Sequence, residues 1–420
     1  MTVAENPTTT VGATAPAPVP LRRNRRFQTL WAGSAAAMLG TCVADTAYPL
    51  LLLAMTGSPT LAGAFGAVQF GASVLFGLHG GAVADRHDRR RVLITADAVR
   101  LATALSVAVA LLAHRLTVPH TLLAAAVIGA TMAYGGPSRM LALRAVVPPE
   151  QLRQALSQDE LRVNGAALAG PPLAGFLLGL GRAVPFLATV LASAAALGAS
   201  IAVRFDDGKA DSPAAAGEKE KGAVLAGLRY LLADPTLRAT VLVAVALNVA
   251  GSAMLLAVMV LLRDHGTSEA GTGLALTGEA VGGLLGAPLV TRLHRAVAPG
   301  ALLLAVAWAA PLLFGVLVLL DGPVAVFGTL LVMSLGIPAL RVMLDVLVFQ
   351  QAPDAMRGRA VAATMTLLMG GMPVGTMTAG LLLDRLAAGT VLLLLAATLA
   401  AGLLPLTLGR ALRGTGWPQG

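Results

Sequence analysis

Twelve apolar stretches of about twenty residues or more recur along this chain, with its charge held in the segments between them. The hydrocarbon core of a bilayer is crossed by about 20 apolar residues in helical form, so each stretch is long enough to span it. Hydropathy places the spans at 28–54, 61–84, 92–113, 119–138, 163–181, 184–203, 239–262, 272–292, 299–320, 324–346, 359–382 and 389–409. All are expected to be helices, because an open strand in lipid leaves backbone groups without partners. A soluble fold would have to expose much of this surface to water: 56% of the residues are hydrophobic, 12% are charged, and the mean hydropathy is +0.79.

The charged segments set an orientation. One alternate set of loops carries Arg22, Arg23, Arg25 and Arg26, then Arg86, Arg89, Arg90 and Arg91, then Arg139, Arg144 and Arg153, and further on Lys209, Lys219, Lys221, Arg229, Arg292, Arg295 and Arg357. The opposite loops hold little beyond Arg115, Arg182, Arg263 and Arg385. Positive residues collect on the cytoplasmic side, so both termini are expected there, in a multi-pass protein of the inner (plasma) membrane. The same bursts explain the net charge of +9 without nucleic acid, since almost no aromatic residues interleave with them to stack on bases. Cys42, the only cysteine, falls inside the first span, which excludes a disulfide framework or a cysteine metal site.

Residues 1–26 read as a disordered, Pro/Thr/Ala-rich cytoplasmic leader without a secretory h-region. Residues 204–238 form a linker whose charged part, RFDDGKADSPAAAGEKEKG, precedes a stretch with Val224, Leu225, Leu228, Leu231 and Leu232 on one helical face, as in an interfacial helix. The expected division is therefore a six-helix bundle over 27–203, the linker, a second six-helix bundle over 239–410, and a tail over 411–420. An internal repeat supports it. Pro149 to Arg153 matches Pro353 to Arg357, Gly170-Pro-Pro-Leu-Ala-Gly175 matches Gly375-Thr-Met-Thr-Ala-Gly380, and Gly80 to Arg86 matches Gly286 to Arg292, all about 205 positions apart.

Two motifs carry a resemblance. The run Gly81-Ala-Val-Ala-Asp85-Arg86-His-Asp-Arg89-Arg-Arg91 lies between the second and third spans, and Ala166-x-x-x-Gly170-Pro171-Pro-Leu-Ala-Gly175 lies in the fifth. The run from Gly81 resembles the loop of the major facilitator superfamily, with Asp88 where the family usually has glycine. The run from Ala166 is similar to the signature of drug:proton antiporters, with alanine in place of the first and last glycines. TLWAGSAAAMLG, PLLLLAMTGSPT and VPPEQL are similar to the macrolide-exporter-type branch. The resemblance implies two bundles that rock around a central cavity. It implies that Gly81, Asp85, Arg86 and Arg89 hold the outward-open state against the start of the eleventh span near Arg359, and that Gly170, Pro171 and Gly175 form a pivot. The arginine that many such antiporters carry mid-way in the fourth span is absent, and Arg139 falls at that span's cytoplasmic end.

Ionisable residues inside a membrane are costly and mark candidate sites. Asp45 in the first span and Glu279 in the eighth are the candidates for proton coupling, since a carboxyl in an apolar cavity is suited to taking up and releasing a proton near neutral pH. Either could instead hold substrate or a structural hydrogen bond. Gln69, Asn248 and Arg341 are candidate substrate contacts. Asp97 with Arg100, three apart, and Arg341 with Asp345, four apart, can pair along their helices as structural or gating ion pairs. His79 reads as a packed or interfacial histidine. No zinc-protease, nucleophile-elbow or phosphate-loop motif is present.

The expectation is an all-α membrane protein and a secondary transporter, with no enzyme chemistry, cofactor or metal. It exports a small, largely apolar or cationic organic molecule, such as an antibiotic or other secondary metabolite, in exchange for protons, and acts as a monomer. Proton-coupled import, or a non-transporting sensor or enzyme on the same scaffold, are the alternatives.

Overall fold

Proline and short polar side chains set where the helices begin. Pro59, Pro119, Pro185, Pro235, Pro299 and Pro323 each stand in the first turn of a helix, where no backbone N–H is needed. The side chains of Asn24, Ser58, Asp88, Asp234 and Ser268 accept from N–H groups of the turns they precede. The computed structural model describes residues 20–204, 220–353 and 356–408, and every regular element among them is helical. Most of the leader, the tail and the charged part of the linker lie outside the described residues.

Twelve spans follow. The first six are Arg25–Thr56, Pro59–Arg86, Arg89–Leu112, Val118–Ala145, Leu152–Leu180 and Val184–Ala202. The seventh is Pro235–Asp264 and the eighth runs through Glu269–Gly286 and Val290–Ala296, joined by a 3-10 turn. The ninth is Pro299–Leu319, the tenth is divided into Pro323–Ser334 and Ile337–Gln351, and the last two are Arg357–Leu383 and Ala388–Leu408.

Two differences from the hydropathy reading have physical reasons. The fifth span starts at Leu152 rather than 163, because the polar turns LRQALSQDELRVN continue the helix beyond its apolar part. The tenth is broken where Gly336 packs against Val306 of the ninth, and apolarity carries no signal of such a break.

Packing divides the spans six and six. The first helix packs on the fifth and sixth, the second on the fourth, and the third on the fourth and sixth. The seventh packs on the eleventh and twelfth, the eighth on the tenth, and the ninth on the tenth and twelfth, which is the same pattern six helices later. The repeated glycines occupy matching places. Gly170 lies on Cys42 of the first span and Gly375 on Val249 and Ser252 of the seventh, each so close that a Cβ would collide. Gly80 meets the fourth span's backbone at Ala133, and Gly286 meets the tenth's at Leu335.

The linker helix, Glu220–Ala233, packs against the eleventh span. Gly227 sits on the backbone of Arg359, and Leu231 is buried in a cluster with Leu237, Val241 and Ala360, while Leu232 is exposed.

Candidate functional site

The two bundles meet along two crossed helix pairs: the second span on the eleventh, and the fifth on the eighth. Both seams are built on small residues toward one side of the bundle, the far side from the start of the first span. Gly63 and Gly66 lie against Thr376 and Gly380, while Gly175 and Gly273 bring Glu269, Ala270 and Pro171 into backbone contact. Asp384 at the end of the eleventh span closes the first seam. It accepts from Ser58 Oγ at 3.2 Å and from the N–H of Thr60 at 3.3 Å, so that it caps the second span from the opposite bundle. On the near side, the inner segments of the eighth and tenth spans, Val290–Ala296 and Ile337–Gln351, pack on helices of their own bundle. The seam is thus shut on the far side.

Directly inside the shut seam lies a cavity of about 260 Å³ with walls from both bundles. Asp45 and Gln69 line it on one side, and Ser252, Glu279 and Thr376 on the other, with apolar wall between them. Asp45 stands about 16 Å along its helix from Thr56 and Glu279 about 15 Å from Glu269, so the two carboxyls lie at similar depth. Gln69 Nε2 donates to Asp45 Oδ1 at 2.8 Å. Glu279 makes no hydrogen bond or ion pair among the described residues. Below Asp45 an aromatic cluster stiffens the wall: Tyr48 stacks on Phe65 at 4.4 Å and meets Phe186 edge-on at 4.7 Å.

Of the residues expected to face a cavity, Asp45, Gln69 and Glu279 stand together around this one, and Pro171 also lines it. Asn248 and Arg341 are elsewhere. Asn248 lies one turn from Ser252 and donates its amide to the carbonyl of Ala244, while Arg341 is exposed on the near half of the tenth span. The expected pairings along helices are replaced. Asp97 binds Arg139 of the fourth span at 2.7 Å and Ser200 of the sixth at 2.7 Å instead of Arg100. Arg341 and Asp345 are both exposed, and no ion pair joins them. The cause is geometric: Asp97 is 1% exposed and points into its bundle, where the fourth and sixth spans reach it.

Gly81, Asp85 and Arg86 belong to the last turns of the second span, and the side chains of Asp85 and Arg86 lie outside what the structure describes. Asp88 takes a defined part in the loop that follows. It accepts from the N–H of Arg91 at 3.1 Å and so starts the third span, in which Arg89 is the first residue. Arg90 donates to the carbonyls of Ile201 and Val203 at the end of the sixth span. The expected partner region near Arg359 is covered by Gly227 of the linker helix. His79 contacts the Tyr134 hydroxyl at 2.7 Å.

Ser252, Thr376 and Asp384 escape a reading of the sequence. Serines and threonines bond their own helix throughout the chain, and an aspartate at a helix end looks like ordinary surface, so only the folded seam distinguishes them.

Comparison with known proteins follows the same lines. A family model described as a transmembrane secretion effector, of the major facilitator type, matches residues 14–413. No curated sequence matches the chain. Among solved structures, the nucleoside transporter NupG is similar with a TM-score of 0.76 at 11% identity, over 91% of this chain and 98% of that one. A bacterial homolog of the human lysosomal transporter Spinster, in an inward-facing and unoccupied conformation, has a TM-score of 0.69 at 15% identity, covering 94% and 97%. A POT family transporter in complex with a thioalcohol-conjugated peptide has a TM-score of 0.67 at 13% identity, covering 91% and 96%. At these identities the likeness is one of fold.

Proposed function

The chain belongs to the major facilitator family of membrane transporters, and on that premise we propose that it exports a small, largely apolar organic molecule in exchange for protons by alternating access. The observation that carries this is the cavity between the bundles, shut on one side by two glycine-lined seams and bearing one carboxyl from each bundle, Asp45 and Glu279. The excess of positive residues in the near-side loops supports a cytoplasmic near side, and on that reading this conformation is open inward. A family described by secretion supports outward movement.

The mechanism follows from where the charges stand. Rocking of the bundles about the seams opens the far side and exposes the same cavity to the outside. An ionised carboxyl at that depth resists the closing of an apolar cavity around it, and a proton or a substrate relieves the cost. A carboxyl that must be neutral to pass from one side to the other therefore couples proton entry to substrate exit. Asp45 already has a neutral donor in Gln69, and Glu279 has none. Both are kept as coupling candidates.

The test is flux in liposomes with an imposed pH gradient and a panel of hydrophobic compounds, comparing wild type with Asp45→Asn, Glu279→Gln and the double variant. Loss of gradient-driven export with retention of substrate counterflow is expected in at least one. Full export by all three proteins would overturn proton coupling through this cavity. Accumulation against the proposed direction would establish import.

A further inference from the structure

A second cavity, of about 250 Å³, lies within the first bundle on the near side. Its walls include three arginines, Arg100, Arg139 and Arg162, and one aspartate, Asp159. Two of the arginines are occupied. Arg139 pairs with Asp97 at 2.7 Å and donates to Ser34 Oγ at 3.2 Å, while Arg162 pairs with Asp159 at 2.8 Å and donates to the Ser34 carbonyl at 3.1 Å. Arg100 is left over. Its Nε is buried without a hydrogen-bond partner, and no ion pair reaches the side chain among the described residues. Its charged neighbours are Asp97, already held by Arg139 and Ser200, then Arg139 itself, and Asp45 in the adjoining central cavity.

A guanidinium whose Nε is buried without a partner is costly to keep, and an anion bound between Arg100 and Arg139 removes that cost. The rest of the wall is suited to an apolar body. Met38, Met132 and Met140 line it, and methionine adapts to ligands of varied shape. The two cavities adjoin. Thr41 of the second and Asp45 of the first stand one turn apart on the first span, and Met132 of the second lies 4.0 Å from Gln69 Nε2 of the first.

We propose that this cavity is a binding subsite for an amphipathic organic anion, whose carboxylate, sulfate or phosphate pairs with Arg100 while its apolar part lies along the methionine wall toward the central cavity. This deepens the reading of the protein as an exporter and rests on it, since it names an acidic group on the exported molecule and places its loading on the near side. The recognition is of charge on an apolar frame, with Arg100 as the group that separates acids from neutral analogues.

Equilibrium binding tests it, with protein in nanodiscs and three radiolabelled probes that share one chain: octyl sulfate, octanol and octyltrimethylammonium. Empty nanodiscs supply the partition background. Wild type is expected to bind octyl sulfate at least tenfold more tightly than octanol, with the ammonium weakest. In Arg100→Gln that preference falls about tenfold while octanol binding is kept, which also reports that the protein is folded, and Arg100→Lys retains part of it. Thr41→Asp, which supplies a carboxylate inside the same cavity, is the second variant and is expected to abolish octyl sulfate binding without touching the arginine. A wild type with no preference for the sulfate, or a folded Arg100→Gln or Thr41→Asp protein that keeps it, overturns the subsite. The assay uses no gradient and no flux. Arginine-dependent binding in a protein that moves nothing in liposomes would overturn the transport mechanism and leave the subsite standing, whereas proton-driven export of neutral compounds without this preference would do the reverse.

Discussion

At the scale of single residues, one buried carboxylate ties three spans of the first bundle together. Asp97 accepts from both Arg139 and Ser200 at 2.7 Å, so removing its charge leaves the largely buried Arg139 guanidinium without its ion pair. Asp97→Asn is expected to cost about 3 to 5 kcal/mol, seen as a large drop in melting temperature in detergent, and the double replacement Asp97→Leu with Arg139→Met should recover much of it. Equal melting of the single and double variants would show that the pair is not what stabilises this bundle. Asp45 stands in a different situation, facing the cavity with one donor, Gln69. Gln69→Ala is expected to leave the fold intact and to change gradient-driven flux across pH, because the Asp45 carboxyl loses its hydrogen-bond donor. A flux profile that superimposes on wild type would separate Gln69 from coupling.

Among the elements, the seams are the parts whose dimensions matter. Gly175 allows the fifth span to touch the backbone of Glu269 and Ala270, and nothing larger fits while the far side is shut. Gly175→Val should cost roughly 1 to 3 kcal/mol in this conformation and little in one where the seam is parted, so the population moves outward-open. Increased labelling of cysteines introduced at the far ends of the fifth and eighth spans would register that shift, and unchanged labelling would mean that the seam yields elsewhere. Gly170 serves a different purpose despite lying in the same motif, since its contact with Cys42 is inside one bundle. Bulk at Gly170 is expected to lower yield and stability rather than to change which side is open. One motif thus holds a packing glycine and a seam glycine, five residues apart in sequence.

For the whole molecule, alternating access requires that each face have its own closing contact. On the far face Asp384 caps the second span across the bundles, through Ser58 and Thr60. On the near face the resemblance assigns the corresponding contact to Asp85, from the second span to the start of the eleventh. Removing either charge should bias the equilibrium in opposite directions. Asp384→Asn is expected to weaken the inward-open form by about 0.3 to 1 kcal/mol, and Asp85→Asn to weaken the outward-open form by a similar amount. Spin-label distances measured across both faces would show the two populations moving oppositely. Movement in the same direction, or none, would remove one of the two aspartates from gating.

Much of this was legible before any contact was known, and the reason is the solvent. A bilayer requires runs of apolar residues and internal backbone pairing, so the twelve helices could be counted along the chain, and the offset of about 205 positions set the division into halves. The cost of burying charge also made Asp45 and Glu279 conspicuous as single residues. Partnership was not legible. Helical spacing joined Asp97 to Arg100 and Arg341 to Asp345, but a carboxylate inside a bundle chooses among several helices at once, and Arg139 and Ser200 reach Asp97 from spans that spacing along one helix cannot compare. The same holds for the side that is shut. Glycines such as Gly63, Gly175 and Gly273 read alike with those that face nothing, and only the crossing of the second span with the eleventh and of the fifth with the eighth makes them a seam, because close approach is a property of two backbones together.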